Sequence, residues 1–228
     1  MWKNLINYLK QDDLYTQALR ECHAMLDLDL EMFKSSIETL RRSDSCETAI
    51  DIYATDKRIN EFERDVRRKV LSHLAVSGAS DLSSGMTLVS VVIDIERIGD
   101  YSKNIYAMAR AHPKRLHGGS LEADIAEIEK NVDRIFTQTV QAFKDSNSET
   151  ARAVMSGYKE ELVVLCDTLV DGIISGKTTD LNPGDAATLA LYVRFLKRIA
   201  AHSRNIMTSV VNPFHRIGYK EKKDEGDK

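Results

Sequence analysis

Apolar residues recur every three or four positions along most of this chain, and that period belongs to helices rather than strands. Over residues 12–42 the stripe reads Leu14, Ala18, Leu19, Met25, Leu26, Leu30, Phe33, Ile37 and Leu40, and it stops at Ser43-Asp44-Ser45. Asp44 and Glu47 have the spacing of a capping box for a second helix, which runs to about Ser77 and ends at Gly78. Ser80 or Asp81 caps a third, which stops before Pro113. Beyond Gly118-Gly119 comes Ser120, and the acids Glu122 and Asp124 open a fourth helix reaching about Lys144. Ser146 with Glu149 is a second capping box, for a fifth helix ending near Gly176. Asn182-Pro183-Gly184-Asp185 then supplies the cap, first-turn proline and acid of a sixth, which ends at Asn212-Pro213. Helices of about 30 residues are roughly 45 Å long, and short loops between them make an up-and-down bundle. The fold class predicted is all-α.

The third and sixth patterns are copies of one another. A shift of 101 positions (188 − 87) places Thr87 on Thr188, Leu88 on Leu189, Val92 on Val193, Arg97 on Arg198 and Ile98 on Ile199. It also places Ser102 on Ser203, Asn104 on Asn205 and Ile105 on Ile206. A repeat this long exceeds a solenoid unit and points to an internal duplication of whole bundles. We therefore expect two tandem three-helix bundles, residues 1–117 and 118–216, hinged at Gly118-Gly119. A charged tail, 217–228, is expected to be disordered because it has no apolar anchor. Trp2, Leu5, Ile6 and Leu9 share one face of an amphipathic N-terminal lead, which either lies on a membrane surface or packs on the bundle.

Charge narrows the function. Lys and Arg total 32 against 35 Asp and Glu, with no basic block able to neutralise many phosphates, so nucleic-acid binding is not expected. Cys22, Cys46 and Cys166 are scattered and odd in number, which fits neither a disulfide framework nor a structural zinc knuckle and implies a reducing cytoplasm. The pattern of a charged n-region, apolar run and small-residue cleavage site is not seen, so export is not expected, and the longest apolar runs, such as Leu88 to Ile93, are far shorter than the ~18 residues a membrane span needs.

Candidate chemistry sits in Asp94-Ile95-Glu96-Arg97-Ile98-Gly99-Asp100. Glu96 and Asp100, four residues apart, share a helix face at the shoulder of the apolar stripe, where an unpaired acid is costly. The second helix carries a matching row, Asp56, Asn60 and Glu63. Two such rows facing one another converge oxygen ligands suited to Mg²⁺, Mn²⁺ or iron. Ion pairing with Arg64, Arg67, Arg97 or Lys103 is the competing reading. No histidine follows an acid at the spacing of a di-iron Glu-x-x-His pair, and there is no phosphate-binding loop or Gly-x-Ser-x-Gly elbow. No catalytic residue is therefore assigned. His202, opposite Tyr101 in the repeat, reads as a satisfied structural histidine, and Tyr8, Tyr106, Tyr158 and Tyr192 as packing aromatics.

Glu96-Arg97-Ile98-Gly99-Asp100 followed by Asn104-Ile105, Asp56-Lys57-Arg58-Ile59-Asn60 on the preceding helix, and the duplicated layout together resemble the PhoU family of phosphate-signalling proteins. The likeness spans about Leu14 to Val211. It implies a cytoplasmic, non-enzymatic regulator, peripheral at the inner membrane face, that contacts a phosphate transporter or its sensor histidine kinase and forms a homo-oligomer such as a homodimer. It also implies a divalent or iron-type metal ion held by Asp56, Asn60, Glu96 and Asp100, with Glu63 a weaker member. The second copy departs from the pattern. The same shift puts Gly157 at Asp56, Glu161 at Asn60, Lys197 at Glu96 and Ala201 at Asp100, so metal is expected in the first repeat only, and Lys197 is expected to pair with Glu160 or Glu161. The alternative is a metal-binding bundle with a different partner, or none related to phosphate.

Overall fold

Short polar side chains fix where four of the helices begin, but not the third, where the expected caps are otherwise engaged: Asp81 pairs with His73 and Ser80 donates to the Ser77 carbonyl. In the computed structural model, which describes residues 13–112, 114–158, 161–178 and 180–221, Asp13 Oδ1 accepts the Thr16 amide at 2.7 Å and starts α1, Leu14–Arg42. Asp51 Oδ1 accepts the Ala54 amide at 3.0 Å and starts α2, Ile52–Ser77. A 3₁₀ turn leads into α3, Leu82–Ala111, and a second one into α4, Glu122–Lys144. Asn147 caps α5, Ser148–Gly157, by accepting the Thr150 amide at 2.9 Å. α6 is Glu161–Ile174, and α7, Pro183–Val211, opens with Asn182 as cap and proline in its first turn. The described residues contain α and 3₁₀ helix and no strand.

Three other boundaries differ from the sequence expectation, each for a local reason. Asp44 caps no helix, because it accepts the Arg115 amide at 3.2 Å, while Ser43 and Ser45 close a turn on one another. Asn147 takes the capping role assigned to Ser146, which instead adopts φ 50° in the turn. The expected fifth helix is two segments, α5 and α6, with Gly157 at the end of the first and Tyr158 in a turn beneath the Arg204 guanidinium. Glycine is the residue that loses most backbone entropy in a helix. The amphipathic lead and the tail beyond residue 221 lie outside the described residues. Residues 217–221 fold back on the end of α7: Thr208 Oγ1 accepts the Gly218 amide at 2.7 Å, and Glu221 meets Arg152 at 2.8 Å. No described helix is long and apolar enough to cross a membrane.

Helices α1, α2 and α3 pack on one another, α4 to α7 form the second bundle, and α3 against α7 with α1 against α4 joins the two. The duplication shows in which positions are buried. Leu189, Tyr192, Val193, Leu196, Ile199, Ala200, Ser203 and Ile206 of α7 fall on buried Leu88, Val91, Val92, Ile95, Ile98, Gly99, Ser102 and Ile105 of α3. Phe33 of α1 meets Phe136 of α4 edge to face at 5.7 Å, and with that shift of 103 (136 − 33) every buried residue of α4 falls on a buried residue of α1.

Contacts across the junction obey the same exchange. Tyr101 lies 5.7 Å from Phe195, and moving each residue to its equivalent gives His202 and Asp94, whose Nδ1 and Oδ1 are 2.6 Å apart. Tyr101 and His202, equivalent to each other, stack at 5.7 Å. A contact set that maps onto itself is the signature of a two-fold relation, here between halves of one chain. Asn205 Nδ2 also donates to Asp94 Oδ1, at 3.1 Å; His202 is held through Nδ1, but its buried Nε2 has no partner among the described residues, so the histidine expected to be satisfied is only half so.

The segment between the halves is tied down. Arg41, whose side chain is only 4% exposed, donates from Nε to Glu129 at 2.7 Å and from Nη2 to Glu122 at 2.5 Å. Its Nη1 donates to the Leu116 carbonyl, and the Leu116 amide in turn donates to Leu40 O at 2.7 Å. Tyr192 completes the knot from α7 by donating to Glu129 at 2.8 Å. Gly119 follows with φ +54°, where a Cβ would also run into the Asp180 carboxylate that accepts the Ser120 amide.

Candidate cation site on three helices

Asp56 and Asn60 lie one turn apart on α2, as Glu96 and Asp100 do on α3, and the two helices bring these rows together. Lys103 marks the meeting point, since its Nζ is 2.8 Å from Asp56 Oδ1 and 2.8 Å from Asp100 Oδ1. Asn60 Nδ2 donates to the other Asp56 oxygen at 3.3 Å. Arg97 reaches Asp100 at 3.0 Å and Glu96 at 3.6 Å from the outer side. Glu63, the weaker member of the expected set, is held by Arg67 at 2.7 Å. All four principal candidates thus belong to one polar seam, and its resident positive charges are the Lys103 ammonium and, on the outer side, the Arg97 guanidinium. Among the described residues, no three or more His, Cys, Asp or Glu side chains are gathered closely enough to hold a metal ion.

One member of the seam was not among the expected residues. Asp29 of α1 is completely buried, and neither of its carboxyl oxygens has a hydrogen-bond partner among the described residues. It lies beneath Gly99, the glycine between Glu96 and Asp100: a Cβ built at Gly99 would fall 2.6 Å from Asp29 Oδ1. Burial holds the Asp29 carboxyl well above the usual carboxylate range, and the charges of Glu96, Asp56 and Asp100 push it further the same way. Burial likewise raises Glu96 to about 7; Asp100 and Glu63 add to the rise and Arg97 opposes it. Lys103 responds in the complementary sense, because its bonds to Asp100 and Asp56 outweigh the burial that disfavours its charge. The seam therefore holds more carboxyl groups than Lys103 and Arg97 can pair, and the crowding is relieved by Asp29 and Glu96 holding their protons more tightly than ordinary acids.

The second half carries none of this. The α1 to α4 correspondence places Val132 where Asp29 stands, and the α3 to α7 correspondence places Lys197, Ala200 and Ala201 at Glu96, Gly99 and Asp100. Lys197 pairs with Asp167 of α6 at 2.6 Å. Glu160 and the Glu161 side chain lie outside the described residues.

Glycine in the motif is thus matched to the acid beneath it, and the pairing is testable. Gly99→Ala should cost about 1–3 kcal/mol, the usual range for overpacking a filled site. Adding Asp29→Val, which copies the Val132 and Ala200 pair of the second half, should recover much of that loss. Urea denaturation of the two single variants and the double variant measures the coupling; strictly additive losses would show that Gly99 is not there to accommodate Asp29.

Comparison with known proteins gives a consistent picture. Residues 12–109 match the family model described as the PhoU domain, a stretch that includes Asp29, both acidic rows and Lys103. A curated relative from Clostridium acetobutylicum, the phosphate-specific transport system accessory protein PhoU homolog, is 22% identical over 88% of this chain and 90% of its own. The solved phosphate transport system regulatory protein PhoU of Streptococcus pneumoniae superposes with TM-score 0.72 at 19% identity, covering 86% of this chain and 92% of its own. PhoU of Pseudomonas aeruginosa gives 0.73 at 21% identity, covering 86% and 94%. Residues 12–109 of this chain thus match the PhoU domain model, and the helical body around them has the fold of the two solved PhoU structures.

Proposed function

We propose that this protein is a non-enzymatic regulator that restrains phosphate uptake and phosphate signalling by contact with a phosphate transporter or its sensor histidine kinase. The observation that carries the reading is the PhoU domain match over residues 12–109, supported by a relative along nearly the whole chain whose name places it in a phosphate-specific transport system. Its place would be the cytoplasm, at the inner face of the membrane that holds the transporter.

As part of this reading, Asp56, Asn60, Glu96 and Asp100 form a site for a hard divalent or iron-type cation in the first half only. The donors suit such an ion: they offer oxygens throughout, they outnumber the cations paired with them, and a buried carboxyl beneath them has no hydrogen-bond partner among the described residues. A bound cation would neutralise the seam and fasten α2 to α3, with Lys103, at the rim, released to solvent.

One observation favours a second reading, in which the partner differs from that of the relatives. The family match ends at residue 109, and the second half has exchanged its acids for Lys197, Ala200, Ala201 and Val132. Co-purification from membranes of cells expressing the tagged protein at native level separates the two. Recovery of a phosphate transporter subunit or a histidine kinase is the expected result; an unrelated partner recovered alone would sustain the second reading.

A further inference from the structure

A buried carboxylate with both oxygens unpartnered is an expensive thing to keep. Asp29 is such a group: it sits on the apolar stripe of α1 between buried Met25, Leu26, Met32 and Phe33, at 0% exposure. The second half shows that the fold does not need it, since Val132 fills the corresponding buried position of α4. The acid appears only where the overlying helix has Glu96, Gly99 and Asp100, and it is absent where that helix has Lys197, Ala200 and Ala201. Gly99 leaves Asp29 Oδ1 the space a Cβ would take, so the carboxyl stands against the α3 position between Glu96 and Asp100, whose charges act on it. Lys103 satisfies Asp56 and Asp100 from above and gives Asp29 no hydrogen bond.

We propose that Asp29 is the floor ligand of the cation site, turning two acidic rows on α2 and α3 into a site closed by three helices. The inference rests on the cation reading of the seam and adds to it a residue that neither motif contains. In the loaded state the Lys103 ammonium withdraws to solvent, a movement its position at the rim and its flexible stem allow. The incoming divalent ion brings two positive charges for one and supplies the partner that Asp29 lacks. A hard ion of this kind is held according to the number and charge of its oxygens, so loss of one anionic ligand weakens it sharply.

The test uses Mn²⁺ as probe, with the full-length protein stripped by chelator and free Mn²⁺ followed by electron paramagnetic resonance during titration. Four proteins are compared: the unmodified chain, Asp29→Asn, Asp29→Val and the Glu96→Ala plus Asp100→Ala double variant. Circular dichroism and melting in chelator establish that each is folded, and Asp29→Val, which copies a packing the second half already uses, keeps the test open if Asp29→Asn folds poorly. The expected result is saturable binding by the unmodified chain, at least about tenfold weaker binding by either Asp29 variant, and none by the double variant. Equal Mn²⁺ affinity in the unmodified chain and both Asp29 variants would overturn the role of Asp29 and leave the cation site standing. No saturable binding by the unmodified chain, or binding unchanged in the double variant, would remove the cation site and this inference with it, without touching regulation by protein contact.

Discussion

Replacing Arg41 by methionine should destabilise the protein by about 3–5 kcal/mol, the usual cost of breaking a buried ion pair from one side. The guanidinium is almost wholly enclosed and gives its donors to Glu129, Glu122 and the Leu116 carbonyl. Methionine fills much of the same volume, so the loss measures charge and hydrogen bonding rather than a cavity. It would leave the Glu129 carboxylate, itself mostly buried, with only the Tyr192 hydroxyl and a distant Arg42 at 4.0 Å. It would also release the Leu116 carbonyl, which anchors the connection between the halves. For a chain of this length a loss of that size lowers the melting temperature by roughly 6–20 °C. Thermal and urea melts of Arg41→Met and of Arg41→Met with Glu129→Met measure it; the double variant should recover part of the loss, because it removes the stranded acid. A change under about 1 kcal/mol in the single variant would mean that apolar packing of Leu116 alone holds the connection.

The helical class and the duplication were legible because both are written in buried periodicity. The shift of 101 matches eight buried positions of α7 to eight of α3, and it was visible in Thr87-Leu88 against Thr188-Leu189 before any coordinates. Helix starts were less legible where two polar residues competed for one cap. Asp44 and Asp51 both precede α2, and only tertiary structure shows that Asp44 is engaged by the Arg115 amide. The break between α5 and α6 had one visible signal, Gly157 inside an otherwise helical pattern, and glycine alone does not decide whether a helix ends.

The site was partly legible. Pairs four apart on a helix put Asp56 with Asn60 and Glu96 with Asp100, and the structure joins the two rows through Lys103. Asp29 was missed, although a signal was present: an acid lies within the stripe Met25, Leu26, Met32 and Phe33 at helical spacing. An acid in that position points at whatever crosses the helix, here Gly99, and the glycine in the motif was the second half of the clue. Arg41 was missed for the same reason. A charged residue at the end of a helix reads as solvated until its partners, Glu122 and Glu129 some 80 residues away in sequence, are seen to fold over it.

The two halves have diverged in chemistry while keeping one shape. The first keeps acids, a motif glycine and a buried aspartate; the second keeps the same buried positions filled with Val132, Ala200 and Leu196 and pairs Lys197 with Asp167. The two seams therefore differ in charge pattern, acids against Lys103 and Arg97 in the first half and Lys197 against Asp167 in the second. Steering and register, more than affinity, are what charge at a rim supplies.

Regulation of phosphate uptake is the central claim, and the largest expected effect is in the cell that lacks the protein. A regulator that restrains a transporter does so continuously, so its removal should raise the initial rate of labelled phosphate uptake in phosphate-rich medium severalfold, the change expected when a regulatory coupling of about 1 kcal/mol or more is lost. Genes of the phosphate-starvation response should be expressed in the same medium. The intact chain supplied in trans should restore both. The decisive measurement is therefore the uptake rate of the deletion strain beside that of the complemented strain, in rich and in starved conditions. The account predicts a high, phosphate-insensitive rate in the deletion strain and a restrained rate on complementation. Identical rates in both strains under both conditions would contradict it.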